Sequence, residues 1–137
     1  MTPNQRLERE CAERGRAAVV KGCVDLLRGA EVDDDFIVVL GGEHGVGILE
    51  GRDGGRDGYW PSVWAVRGLL HVWDEVATTE TVRAMAHSSW RVREMAAKVV
   101  ARHHVDDALE TVVHLRRDPV LRVRAATDRA VMALTGV

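Results

Sequence analysis

Four of the chain's six aromatic side chains, Tyr59, Trp60, Trp64 and Trp73, fall close together, and Arg67, His71 and Asp74 share their segment. At helical spacing Trp64, Arg67, His71 and Asp74 line one side, with Trp60 one turn earlier. Val63, Val66, Leu70 and Trp73 form an apolar stripe on the other. Aromatic faces accept cations and stack on planar groups, and an Arg beside an Asp offers charge of both signs. The combination predicts a socket for a planar ligand, a peptide or a nucleobase. The competing reading is that the same tryptophans fill wedge-shaped gaps between irregular helices and a more regular part of the chain, since a large aromatic is more often core than contact.

A second set of candidates is basic. Arg67, Arg93 and Arg124 each follow a Val, and Arg91 with Arg122, and Lys98 with Arg129, form further matched pairs. The planar guanidinium fork binds carboxylates and phosphates in two places at once, so a row of such groups suits an acidic partner. The competing role is structural, with Asp118 and Asp128 available as partners. Arg91 and Arg122 have no evident mate. The candidate binding residues are therefore Trp60, Trp64, Arg67, His71, Asp74, Arg91, Arg93, Arg122 and Arg124.

Other chemistry is poorly supported. His103, His104, Asp106 and Asp107 are four potential metal ligands within five residues, but adjacent side chains on a helix diverge by about 100° and cannot readily share one ion. A histidine near a helix C-terminus followed by an aspartate capping the next helix accounts for them. Gly41-Gly42 and the doubled tetrapeptide Gly51–Gly58, GRDGGRDG, lack the GxxxxGK[ST] spacing of a phosphate loop. Asp53 and Asp57 lack the dense oxygen ligands and closing Glu of a calcium loop. No GxSxG occurs, and neither Cys11 nor Cys23 has a CxxC partner or a cue to a catalytic histidine. No catalytic residue, metal or cofactor is expected.

The elements that must carry these residues read as helices. Thr2-Pro3 is an N-cap with proline at the first helical position, opening a helix to about Arg14. Val19, Cys23, Leu26 and Leu27 stripe a second helix that closes on Gly29. Residues 36–49 admit a pair of short helices or a hairpin. The acidic run Asp33–Asp35 and the Gly41-Gly42 stop favour the helix, although two glycines inside 43–50 cost about 1 kcal/mol each there. Residues 51–58 form a loop. From Trp60 helical periodicity runs to Leu134, with stripes Val92, Met95, Ala96, Val99, His103 and Val123, Ala126, Thr127, Ala130, Leu134, and shorter helices near 78–87 and 106–116.

The sequence also repeats itself. Residues 90–98, WRVREMAAK, lie over 121–129, LRVRAATDR, at a spacing of 31, and Val66-Arg67 gives a looser third copy. A period of this length marks stacked helix pairs, which hide their apolar stripes only against one another. WRVREMAAKVV and DPVLRVRAATDRAVMAL resemble HEAT repeats of the short kind found in phycobilisome lyases, in which an Asp-Pro turn precedes a helix opening Val-Arg. Asp118-Pro119 and Val123-Arg124 fit, whereas Ser88-Ser89-Trp90 replaces the turn in the earlier copy. Residues 58–74 likewise resemble small bacterial HEAT-repeat proteins of unassigned function. The resemblance implies an all-α fold, a right-handed α-α superhelix or short solenoid, as one domain with irregular N-terminal helices over 1–58 and regular repeats over 59–137. HEAT-type iron hydroxylases carry His-Glu dipeptides, which this chain lacks; Glu43-His44 is the reverse order.

Composition bounds the function. The 137 residues carry 19 basic and 21 acidic side chains, 46% hydrophobic content and 29% charge, which suits a folded chain with one sizeable core. No apolar run approaches the roughly 20 residues of a membrane span, and the start MTPNQRLERE does not read as a secretory signal, so a cytoplasmic protein is expected. Residues 1–58 hold 8 basic and 12 acidic groups, residues 59–137 hold 11 and 9. The leading expectation is a non-catalytic binding or scaffold module that takes a protein or peptide partner on its concave face; self-association is compatible with the same features. The alternative is a nucleic-acid-binding or base-repair protein of the HEAT-like glycosylase type, which Trp60, Trp64, Trp73 and Asp74 suggest. A net charge of -2 opposes strong duplex binding, despite the 10 basic and 6 acidic groups of residues 83–129.

Overall fold

The computed structural model describes all residues from Met1 to Val137, and the chain is all-α: nine helices joined by turns and short 3-10 segments, with no strand. The helices gather into two compact units, Met1–Asp74 and Glu75–Val137. No helix is long and apolar enough to cross a membrane.

The first unit holds α1 (Pro3–Arg14), α2 (Arg16–Leu27), α3 (Asp34–Gly41), α4 (Glu43–Leu49) and α5 (Trp60–His71). Thr2 caps α1 as its sequence predicts, its hydroxyl accepting from the Gln5 amide while the Gln5 side chain accepts from the Thr2 amide. Residues 36–49 are two helices and not a hairpin. The glycines of α4 explain how: a Cβ at Gly45 would stand 2.6 Å from the Ile37 carbonyl oxygen, so the short helix can lie close on α3 only without side chains there. The loop after α4 contains a 3-10 turn, Arg52–Gly54, and is tied down by charge, since Arg56 pairs with Asp34 and donates to the Val32 carbonyl. Helix α5 is the centre of this unit and packs on α1, α2 and α3. Val63, Trp64, Ala65, Val66, Gly68 and Leu69 are all buried, so the apolar surface of α5 is far wider than a single stripe.

The second unit holds α6 (Thr78–Ala84), α7 (Trp90–His103), α8 (Leu109–Leu115) and α9 (Leu121–Thr135). The 31-residue register extends through every element. Helices α6 and α8 start 31 residues apart, as do α7 and α9, and so do the 3-10 turns Glu75–Ala77 and Asp106–Ala108 that precede the first helix of each pair. Helix α6 packs on α7, α8 on α9, and α7 directly on α9. Val92 and Val123, Ala96 and Thr127, and Val99 and Ala130 are matched buried positions. Small alanines let the two long helices approach closely, and the burial of Val92, Val99 and Val123 removes apolar surface worth about 1.5–3 kcal/mol per side chain.

Candidate binding surface

In the first unit the expected socket is largely closed. Trp64 is 3% exposed: its ring lies over the end of α3, where a Cβ on Gly41 would come within 2.5 Å of it. This corrects the placement of Trp64 on a surface face, and the reason is that α3 and α4 cover the side of α5 opposite the predicted stripe. The His44 ring meets Trp64 edge-on and Trp60 at a tilt, both at 5.0 Å between centroids, and Trp60 also touches Tyr59. His44 Nε2 lies 3.0 Å from Asp53 Oδ2, which fastens the Gly-rich loop to this cluster. Trp60 and His71 are half-buried and Asp74 is exposed. Trp60 and Trp64 face each other at 6.3 Å between centroids, with His44 5.0 Å from both, so the rings pack on one another.

Arg67 is also turned inward. Its Nη2 donates to the Leu40 carbonyl at 2.6 Å, and Arg6 donates from Nε to Val39 O and from Nη2 to the same Leu40 oxygen. Two guanidinium groups thus satisfy the last carbonyls of α3, where the helix dipole favours positive charge. Burial, and secondarily the charge of Arg6, lower the pKa of Arg67. The sulfur groups have no evident reactive role: Cys23 is wholly buried, which pushes its thiol up to about 12, and Cys11 is raised for the same reason.

In the second unit the two Val-Arg arginines make the same local bond. Arg93 Nη1 donates to the His87 carbonyl and Arg124 Nη1 to the Asp118 carbonyl, each at 2.8 Å, six residues back along the chain. Arg93 then reaches into the next repeat, where Nε and Nη2 grip Asp118 Oδ2 and Oδ1 at 2.7 and 3.3 Å. Burial pushes the Asp118 carboxyl up, but the hydrogen bonds from Arg93 and from the Val120 amide, with the charges of Arg93 and Arg124, outweigh it and hold the group below the usual range. His87 stands where Asp118 stands one repeat later. Its Nδ1 accepts from the Ser89 amide at 2.9 Å, as Asp118 Oδ1 accepts from Val120 at 2.9 Å. The copy without Asp-Pro thus keeps the turn by substituting an imidazole nitrogen for a carboxylate oxygen. Burial, then the nearby Arg93 charge, lower the pKa of His87 and favour its neutral form.

Arg91 and Arg122 face elsewhere. On α7 the arc of Arg91, Glu94 and Lys98 is opposite the Val92, Ala96 and Val99 stripe, given about 100° per residue. The guanidinium of Arg91 lies 4.6 Å, and that of Arg122 5.1 Å, from the Trp90 ring centre. Arg122 Nε also donates to Glu94 Oε2 at 2.9 Å, with Lys98 4.0 Å from the other oxygen. Glu94 is the mate of Arg122 that sequence reasoning missed. It lies 28 residues away, and only the side-by-side packing of α7 and α9 brings it near. Trp90 is not among the residues that the sequence singles out, and its alignment with the apolar Leu121 carries no signal of exposure. Arg93 clamps one repeat to the next and Arg124 holds only its own turn, whereas Trp90, Arg91 and Arg122 form a group on the surface that could hold a carboxylate or a planar face.

His103 ends α7, His104 takes a left-handed conformation (φ 50°) after it, and Asp106 and Asp107 lie in the following 3-10 turn. Nowhere do three His, Cys, Asp or Glu side chains gather into a group that could hold a metal ion. Compared with models of known protein families, with curated proteins and with solved structures, the chain matches none.

Proposed function

We propose that this protein is a short HEAT-like helical-repeat module that binds a protein or peptide partner, with the ridge of α7 and α9 as its recognition surface. The observation that carries this reading is the Trp90 group: an indole covered by two guanidiniums, beside a carboxylate held by Arg122 and Lys98. Aromatic and arginine side chains are the residue types that dominate binding energy at interfaces. Arg91, Lys98, Arg122 and Arg129 against Glu94 give the ridge a basic excess, so the partner segment is acidic. The right-handed superhelix and concave inner face are part of the same proposal, supported by the 31-residue register and the packing of α7 on α9.

The base-trapping alternative draws less support. It relies on a tryptophan open to a flipped base beside Asp74, and Trp64 is buried while Trp60 is half-buried with its ring against His44, Tyr59 and Trp64. The test is affinity purification from native cells with the wild-type chain and with Arg91→Glu/Arg122→Glu. Loss of a protein partner in the double variant, with an unchanged melting temperature, supports the reading. Retention of the partner overturns it, and capture of nucleic acid released steeply by salt would favour the alternative.

A further inference from the structure

The two repeats of the second unit serve as a template for each other. Arg93 uses three nitrogens: Nη1 holds its own turn carbonyl, and Nε with Nη2 holds the carboxylate of the following turn. Arg124 has the first bond in the same place and at the same length, but it grips no carboxylate in two places, its charge acting on Asp118 only from a distance. Asp118 is already committed to Arg93. The surroundings differ in the same sense. Ala97 and Val100, on the same side of α7 as Arg93, are completely buried; their counterparts on α9, Asp128 and Val131, are exposed and half-buried. Leu121, at the start of α9, is 69% exposed.

We infer that Arg124 is a recognition site for a partner carboxylate, and that the occupant is an acidic turn of a partner protein, an Asp that precedes a helix as Asp118 precedes α9. The ligand chemistry is read from inside the molecule: the Nε and Nη2 edge that binds Asp118 in one repeat is presented without a carboxylate in the next. A fork fixed by a hydrogen bond to its own turn is preorganised, which favours a two-point carboxylate contact over a diffuse attraction to any anion. The apolar side chains of Leu121 and Val131 next to it suit the first residues of the helix that follows such a turn. This inference rests on the binding-module reading and assigns a second contact surface to it.

The probe is a blocked tetrapeptide with the sequence of residues 118–121, Asp-Pro-Val-Leu, which keeps the turn aspartate and its apolar followers without the flanking arginines, titrated into the protein with Arg side chains labelled at Nε. The Arg124 Nε–H resonance should move on titration and the Arg93 resonance should not. Binding should weaken by about tenfold or more when the peptide's aspartate is changed to asparagine, because the charge-assisted pair is lost. Arg124→Gln should abolish the response, and Arg124→Lys should weaken it by removing the fork. The asparagine peptide tests the inference without altering the protein, so misfolding of a variant cannot obscure the result. Equal shifts with both peptides, or no shift with either, would overturn it. So would an Arg124 shift that follows protein concentration without peptide, since a second copy would then be the occupant. A null result here while Arg91→Glu/Arg122→Glu still loses its native partner would refute the Arg124 site and leave the ridge intact; the converse would refute the ridge.

Discussion

Helix α5 of the first unit and helix α7 of the second both open on a tryptophan and carry a Val-Arg step, yet their side chains have opposite fates. In α5, Trp64 is sealed beneath α3 and α4 and Arg67 ends on a backbone carbonyl. In α7, Trp90 stays half-exposed under two guanidiniums and Arg93 ends on a carboxylate of the next repeat. The difference is one of neighbours. A central helix in an irregular cluster is covered on most sides, and a cation there is best used to satisfy a helix C-terminus. A helix in a register of pairs is covered on its core and lateral faces, which leaves a ridge exposed and lets Arg93 lock the repeat that follows.

Breaking the buried side of this contrast should give the largest effect. Trp64→Ala is expected to cost about 3–5 kcal/mol by urea unfolding, the range for emptying an aromatic core site; a loss below about 1 kcal/mol would return Trp64 to the surface. Next comes the clamp. Asp118→Ala leaves the half-buried Arg93 without its carboxylate and is expected to cost about 3 kcal/mol, and a double-mutant cycle with Arg93→Gln should be strongly non-additive. Because the folded-state pKa of Asp118 is depressed, its contribution is complete above the unfolded carboxylate value and is lost as pH falls through the folded one. Acid unfolding monitored for wild type and Asp118→Asn should show that dependence only in the former.

His87 gives a smaller effect in a different window. Its folded pKa lies below the unfolded value of 6.5, so protons bind the unfolded chain first; stability should fall as pH drops from about that value through the folded one. His87→Asn, which keeps an acceptor for the Ser89 amide, should flatten the melting temperature between neutral and mildly acidic pH. An unchanged slope would mean that the imidazole does not cap this turn. Smallest of all, Arg122→Ala should change stability by less than about 1 kcal/mol, because its side chain is 65% exposed, while weakening partner capture. A large loss of stability would make the ridge a structural seam.

Much of this contrast was legible in the sequence. The Thr2-Pro3 start, the Gly41-Gly42 stop and the repeat at 31 residues each express local rules of capping, chain conformation and periodicity, and they placed the helices correctly. The structural role of Arg93 is legible as a competing reading, since Asp118 is available to it, whereas the Arg67 contact with the Leu40 carbonyl is not. What could not be read was which side of a helix would be covered. The apolar pattern of α5 predicted one stripe, yet α3 and α4 fold back across the other side, and their two glycines acquire meaning only through the Trp64 ring and the Ile37 carbonyl that approach them. Glu94 and Arg122 likewise met only through the packing of α7 on α9.

The sequence by itself determined most of the helices, their ends and the register of the second half, while leaving residues 36–49 open between helices and a hairpin, because hydrogen-bonding caps and hydrophobic period act over a few residues. The tertiary structure alone decided which tryptophan is core and which is ridge, which arginine is spent on the backbone and which grips a carboxylate. Those outcomes depend on contacts between residues about 25 or more positions apart, whose pairing no local pattern encodes.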